Sequence, residues 1–382
     1  MNPFSEIIKT NRAWFCLDCG KCSSVCPITL HLVDGYTSPR LLVETAVGSG
    51  EKDLLEDPLL WSCLTCNRCT EICPSVVQFS EFIQDARQLA REKDQSGDCT
   101  HSEMIQTWIR MMVKPDLQQN RLEWINDGLV VSEDSDTIYF PGCLPYYDPS
   151  FSNLEAEGIE IARGAVKILN HLGIKPIVLE NERCCGHDQY WQGEMDTFQG
   201  LAEINLNIIK STGAKRIITT CPECAYTLKH IYPEQIGSTG MEVLHLTEFL
   251  ADPEILDQLN IEVETDSQQV TYQDPCRLGR FSGVYQQPRD LIMELGFTLT
   301  EMEHSRRSST CCGTSCWSSC GQVNKRIQVE RLGEARSTGA EMLITTCQKC
   351  QIHFKCAQKD PGLDEEIQIP IRDLTILIAE RI

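Results

Sequence analysis

Nowhere in the 382-residue chain do roughly 18 apolar residues run together, so no segment reads as a membrane span. Met1 to Trp14 has no basic region followed by an apolar run. That excludes a secretory signal and makes the expected compartment cytoplasmic. A G-x-G-x-x-G fingerprint is also missing, so flavin or nicotinamide has no recognisable site here and electrons must come from a partner. Positive charge is scarce: 34 Lys and Arg stand against 55 Asp and Glu, for a net charge of −21. Nucleic acid and anionic membrane surfaces are therefore poor partners.

Cysteine is abundant, with 22 residues. In a short secreted chain this would be a disulfide framework; here length and the missing signal favour metal ligation. Such a cluster-rich chain suits an anaerobic host.

The chain is organised around Cys184-Cys185-Gly186-His187, echoed by Cys311-Cys312-Gly313. Adjacent cysteines do not readily bridge each other, but a soft centre with several irons can use both thiolates. Each pair has one cysteine upstream (Cys143, Cys276) and a CxxC downstream (Cys221 and Cys224; Cys347 and Cys350). That makes five cysteines per unit, twice over.

The N-terminal third carries a different pattern. Cys16-x2-Cys19-x2-Cys22-x3-Cys26-Pro27 is followed by Cys63-x2-Cys66-x2-Cys69-x3-Cys73-Pro74. This is two-cluster ferredoxin spacing, in which three cysteines wrap one cubane and the fourth reaches the other. The expectation is two [4Fe–4S] cubanes with crossed ligands. One takes Cys16, Cys19, Cys22 and Cys73; the other takes Cys63, Cys66, Cys69 and Cys26. Two zinc ribbons would not explain eight cysteines in this order. Between and after the motifs, Pro39–Gly48 and Phe79–Lys93 read as helices, and His101–Asp127 as a further helical stretch. A helical ferredoxin domain over 1–130 follows. Cys99 is taken as a plain thiol.

The remainder is an internal repeat. Thr212-Gly213-Ala214 leads to Thr219-Thr220-Cys221, and Thr338-Gly339-Ala340 to Thr345-Thr346-Cys347, at the same distance. The repeats are placed at 137–252 and 269–382, joined by an acidic linker at Glu262–Gln269. Short apolar segments alternate with helical stripes: strands at Thr137–Phe140, Pro176–Leu179 and Arg216–Thr220, helices at Ile159–Leu172 and Leu201–Ile209. This predicts α/β domains with parallel sheets, the cysteines gathered at carboxyl ends of strands. The whole is thus a multidomain chain: a helical ferredoxin part and two α/β repeats.

These motifs resemble the CCG-domain family, typified by the heterodisulfide reductases. The spacings here are Cys143-x40-Cys184-Cys185-x35-Cys221-x2-Cys224 and Cys276-x34-Cys311-Cys312-x34-Cys347-x2-Cys350. Asp274-Pro275-Cys276-Arg277-Leu278-Gly279-Arg280 also looks like that family's second repeat. With the ferredoxin part, the layout resembles the D-type subunit of those enzymes, or a fusion of their C and B types. The resemblance implies a noncubane [4Fe–4S] cluster on each five-cysteine set and cleavage of a disulfide between the two. It implies a flavin-containing or cytochrome partner subunit, and a small thiol or disulfide substrate. Related chains act instead as relays, in complexes of the anaerobic glycerol-3-phosphate dehydrogenase, glycolate dehydrogenase, sulfate-reducer and benzoyl-CoA reductase types. Both readings stand at this point.

Three features sit outside the motif. Arg277 and Arg280 begin a basic run around the second unit, read either as solvated charge or as a hold for an anionic disulfide. His187 is either a proton donor to a leaving thiolate or a helix-start histidine bonded to backbone. Cys316 and Cys320, four apart and on one face if helical, either alter the second cluster or are inert thiols.

Overall fold

The computed structural model describes residues 3–263, 267–362 and 367–382; linker positions 264–266 lie outside the described residues. The chain forms two compact units. One gathers Met1–Arg110, Gly186–Phe198 and Thr310–Arg331. The other gathers Met111–Cys185, Gln199–Ser309 and Leu332–Ile382.

The unit that holds the N-terminus is helical. Pro39–Gly48 starts where Ser38 accepts a hydrogen bond from the Leu41 amide at 3.2 Å and Pro39 fills the first helical position. Its buried face is Leu42, Val43 and Ala46. Phe79–Arg91 buries Phe79, Phe82, Ile83, Ala86, Leu89 and Ala90, the stripe read from sequence. From this helix the buried Arg87 donates to the carbonyls of Leu60 (2.7 Å), Cys63 (2.8 Å) and Trp191 (2.9 Å). One cation thereby ties three segments of the unit together. The helical stretch expected over His101–Asp127 is shorter: the α-helix ends at Met111, four residues before Pro115. A residue preceding proline is pushed out of the helical region, so the pattern cannot continue.

The other unit contains two parallel sheets. In the first, β1 (Thr137–Tyr139), β2 (Arg216–Thr219) and β3 (Glu242–His245) lie in the order β1-β2-β3. In the second, β4 (Gln269–Gln273), β5 (Thr298–Leu299), β6 (Met342–Thr345) and β7 (Ile371–Asp373) lie in the order β5-β4-β6-β7. The expected strand at Pro176–Leu179 is reduced to one bridge, Ile138 with Ile177. Pro176 has no N–H to extend the ladder. That bridge lies beside β1 where β5 lies beside β4, so the two repeats share one strand order. In the first repeat one helix falls where expected, at Gly158–His171, and the other runs well beyond the expected Leu201–Ile209, over Met195–Ser211.

The repeats pack reciprocally. Helix Gly158–His171 lies on the closing helix Leu374–Ala379 of the second repeat, and closing helix Leu246–Leu250 lies on Gln286–Glu294. At Gly164 the approach is close: an added Cβ would meet the Ala379 Cβ at 3.3 Å and the Thr375 carbonyl at 3.4 Å.

Candidate metal centres

Both repeats bring cysteine to the carboxyl end of adjacent strands. Cys143 follows β1 and Cys221 follows β2; Cys276 follows β4 and Cys347 follows β6. In each sheet the chain order reverses between those two strands, so they flank the crevice where such sheets bind ligands. One hydrogen bond repeats there. The Tyr139 hydroxyl meets Thr220 Oγ1 at 3.1 Å, and the Tyr272 hydroxyl meets Thr346 Oγ1 at 2.8 Å. Each threonine immediately precedes its CxxC.

The five sulfurs of the first set form one contiguous group. Cys143 hydrogen-bonds with Cys184, Cys185 Sγ and Cys224 Sγ are 3.4 Å apart, and Cys221 touches Cys224. Contact with Cys184, burial and neighbouring sulfurs push the Cys143 thiol well above its ordinary pKa, and Cys185 and Cys224 rise likewise. Buried neutral thiols at this density suit a cation that takes them all as thiolates. The surrounding backbone is clamped. Asn205 donates to the Cys184 carbonyl at 3.0 Å, and the Tyr232 hydroxyl to that of Cys185 at 3.1 Å. Ahead of Cys143, Gly142 has φ +62°, and a side chain there would meet the Cys224 sulfur at 2.7 Å. Its N–H donates to Glu182 at 2.9 Å, and its carbonyl accepts from Arg121, which also pairs with Glu182. Burial pushes Glu182 up to about 7 despite Arg121.

In the second set, Cys276, Cys347 and Cys350 belong to this same unit, while Cys311 and Cys312 belong to the N-terminal one. Gly186 and Gly313, which end the two tandem pairs, take left-handed φ of +81° and +90°. A Cβ would strike the Phe198 ring at 2.8 Å in one case and the Asn324 carbonyl at 2.9 Å in the other. Glycine is required at both by conformation and by space.

Between the two CxxC turns runs a link that the sequence reading missed. Glu223 is the third residue of Cys221-Pro222-Glu223-Cys224, and Lys349 the third of Cys347-Gln348-Lys349-Cys350. Their side chains pair at 2.6 Å. Tyr226 and Phe281 stack edge to face at 5.0 Å beside it, with the Arg277 guanidinium 4.1 Å over the Phe281 ring. Opposite charges at one repeat position were the available signal. Arg277 and Arg280 are both buried, not solvated, and Arg280 donates to the Ser309 carbonyl at 2.7 Å. His245 closes β3 and is buried, its Nδ1 accepting from the Thr247 amide at 3.2 Å.

The N-terminal cysteines fall into two groups. Cys26, Cys63, Cys66 and Cys69 line one small pocket together with Thr65, Arg68 and Phe79. Burial pushes the Cys63 thiol up to about 12, with the Arg87 guanidinium opposing. Cys22 senses Cys16 and Cys73, and Cys19 is exposed. Cys26 thus lies with Cys63, Cys66 and Cys69 rather than with its own run. Elsewhere in this unit His187 is buried at the start of helix His187–Trp191, with Nδ1 3.0 Å from Asp188 Oδ1. The segment holding Cys316 and Cys320 is not helical. Cys316, Trp317 and Ser319 take left-handed φ of +54°, +53° and +52°, which removes the shared helical face; Cys316 is buried and Cys320 exposed.

Residues 137–229 and 270–355 match the family model described as "Cysteine-rich domain", and 13–77 the one described as "4Fe-4S dicluster domain". The chain is a CCG-domain iron–sulfur protein. It is homologous to the D-type subunit of the dihydromethanophenazine:CoB–CoM heterodisulfide reductase of Methanosarcina barkeri, 29% identical over 69% of this chain and 63% of that one. The chain thus spans a little under two thirds of that relative. An uncharacterised iron–sulfur protein of Methanococcus maripaludis is 27% identical over 93% of this chain and 70% of its own. The EtfAB:quinone oxidoreductase of Syntrophomonas wolfei is 30% identical over 56% of this chain and 30% of that one. This CCG-domain protein is therefore related to oxidoreductases and their subunits. Among the described residues no helix is long and apolar enough to cross a membrane.

Proposed function

We propose that the chain is the disulfide-reducing subunit of an iron–sulfur oxidoreductase. Electrons from a flavin-containing or cytochrome partner enter through two N-terminal cubanes and reach two noncubane clusters held by the repeats. The observation that carries this reading is the Glu223–Lys349 pair joining the CxxC turns of both repeats at 2.6 Å. A disulfide has two sulfurs, and two similar sites whose CxxC turns are joined suit one each. The relative's name supplies the substrate class, a CoB–CoM type heterodisulfide.

The eight N-terminal cysteines would hold the cubanes; Cys143, Cys184, Cys185, Cys221 and Cys224 the first noncubane cluster; Cys276, Cys311, Cys312, Cys347 and Cys350 the second. Bound clusters supply one-electron transfer and iron sites for thiolate sulfur. The chain's own residues do the rest. Arg121, Glu182, Asn205 and Tyr232 fix the first set against its backbone. Arg277 and Arg280 place positive charge beside Cys276 in an otherwise acidic protein, which favours an anionic substrate.

A relay role is the alternative, and the match to a quinone oxidoreductase favours it. The test is anaerobic purification with native partners, followed by iron and sulfide counting and a disulfide turnover assay. About sixteen irons per chain and turnover are expected. Saturation near eight irons (about two cubanes) removes the paired clusters, and full iron without turnover leaves the relay.

A further inference from the structure

We propose that His187, Asp188 and Cys316 form a binding site for one divalent metal ion of the zinc type. None of the three belongs to the cysteine sets described above. All lie in the N-terminal compact unit, where one donor atom from each falls within 4.8 Å of the others. Exposure is 2% for His187, 4% for Asp188 and 0% for Cys316, so the group is interior.

Chemistry and charge select the ion. One imidazole, one carboxylate and one thiolate make a mixed N, O, S set, which suits zinc better than the oxygen-seeking or purely thiophilic metals. A dication balances the carboxylate and thiolate to neutrality, which a buried site requires. On binding, the Cys316 S–H bond is replaced by a metal–sulfur bond and its proton leaves to solvent, while the imidazole binds neutral. Bond lengths of about 2.0–2.3 Å place tetrahedral ligands about 3.3–3.7 Å apart, so small side-chain rotations close the group. Three protein donors leave a fourth position open.

The backbone supports this placement. His187 and Asp188 are adjacent in one helical turn, their Nδ1 and Oδ1 atoms 3.0 Å apart. Cys316 arrives from a turn with three left-handed non-glycine residues, Cys316, Trp317 and Ser319. L-residues avoid that region unless their surroundings fix them. Here they do. The Cys316 carbonyl accepts from Gln192 Nε2 at 2.5 Å and Gln106 Nε2 at 3.2 Å, and that of Trp317 accepts from the Thr100 hydroxyl at 2.8 Å. Ser315 Oγ lies 3.2 Å from the Cys316 sulfur. A second sign is Gln189, in the same turn as His187 and Asp188. It is fully buried, and neither end of its amide finds a hydrogen bond among the described residues. A ligand on the open metal position gives such a group a partner.

The experiment uses the full-length chain, prepared anaerobically with its iron complement and zinc in the medium. Elemental analysis should find about one zinc per chain, and zinc-edge X-ray absorption one sulfur at about 2.3 Å with nitrogen or oxygen at about 2.0–2.2 Å. Cys316→Ser should lower zinc affinity by more than the roughly 10–100-fold that loss of an outer partner costs, with iron content unchanged. Asp188→Asn should weaken zinc binding in the same direction, and Cys320→Ser should leave it intact. An iron-replete chain without zinc overturns the proposal. So does zinc with an all-sulfur shell, or zinc retained by Cys316→Ser. Iron content separates these outcomes from failure of the cluster assignment.

Discussion

The two α/β repeats share a strand order and a tyrosine–threonine bond beside each CxxC, yet they solve the same electrostatic problem differently. The first repeat keeps all five cysteines in one compact unit and braces them with a buried Arg121–Glu182 pair. The second divides its five between two units and braces the Cys276 strand end with Arg289, which bonds both Asp274 oxygens at 2.7 and 2.8 Å and also holds Glu301. At the end of the last strand, His245 in one repeat stands where Asp373 stands in the other. Each caps the following helix through the amide two residues on, Thr247 at 3.2 Å and Thr375 at 2.8 Å. What the repeats hold in common is backbone geometry. What they exchange is the capping residue, a histidine in one and an aspartate in the other.

The largest test asks whether the sites are equal. Cys185→Ala should abolish disulfide reduction while the N-terminal cubanes stay reducible, as followed by EPR and turnover. Cys276→Ala should do the same. Turnover at the parent rate in the Cys276 variant would demote the second site and make the chain a relay.

Next come the braces. Arg121→Met leaves Glu182 buried without its cation, and Arg289→Met strands Asp274. Each should cost about 3–5 kcal/mol in anaerobic denaturant unfolding. A loss below about 1 kcal/mol at either would mean that water reaches that carboxylate.

The caps sharpen the contrast through pH. Burial pushes His245 down to about 4, so its stabilisation is complete above the unfolded value near 6.5 and is lost as pH falls towards 4, about 3 kcal/mol in all. Burial pushes Asp373 up to about 7, so its contribution is present near pH 4 and lost as pH rises to 7, about 4 kcal/mol. Between pH 4 and 6.5 the two slopes oppose and nearly cancel. His245→Asn should therefore leave a protein whose stability falls as pH rises, and Asp373→Asn one whose stability climbs. Equal slopes in both variants would refute the opposition.

The smallest effect tests what is shared. Tyr139→Phe and Tyr272→Phe each remove one buried hydroxyl and strand a threonine partner. Both should cost about 1 kcal/mol in unfolding measurements, and by similar amounts. A difference above about 2 kcal/mol would show that the repeats diverge at this bond too.

What could be read from sequence was whatever short spacing dictates. The ferredoxin runs, the tandem pairs and the amphipathic Phe79–Arg91 are local, and three to four residues of chain determine which sulfurs or faces meet. The Glu223–Lys349 pair joins positions 126 apart in the chain, and nothing local in either CxxC shows that they meet. The turn at Cys316 is not legible in sequence because cysteine, tryptophan and serine carry no left-handed signature; the surrounding side-chain amides hold them there. For Arg277 and Arg280 the sequence leaves solvated charge and an anion site both open, because composition does not reveal burial.

The order of the segments has a consequence for biosynthesis. The N-terminal cysteines emerge from the ribosome early, but their compact unit also needs Gly186–Phe198 and Thr310–Arg331. Arg87 waits for the Trp191 carbonyl, and Gln106 for that of Cys316. Such late closure keeps the four-sulfur cavity near Cys63 accessible while most of the chain is still being made. Cluster-loading machinery thus has a long interval in which to act. A fragment ending after the ferredoxin motifs should load iron readily and retain it poorly.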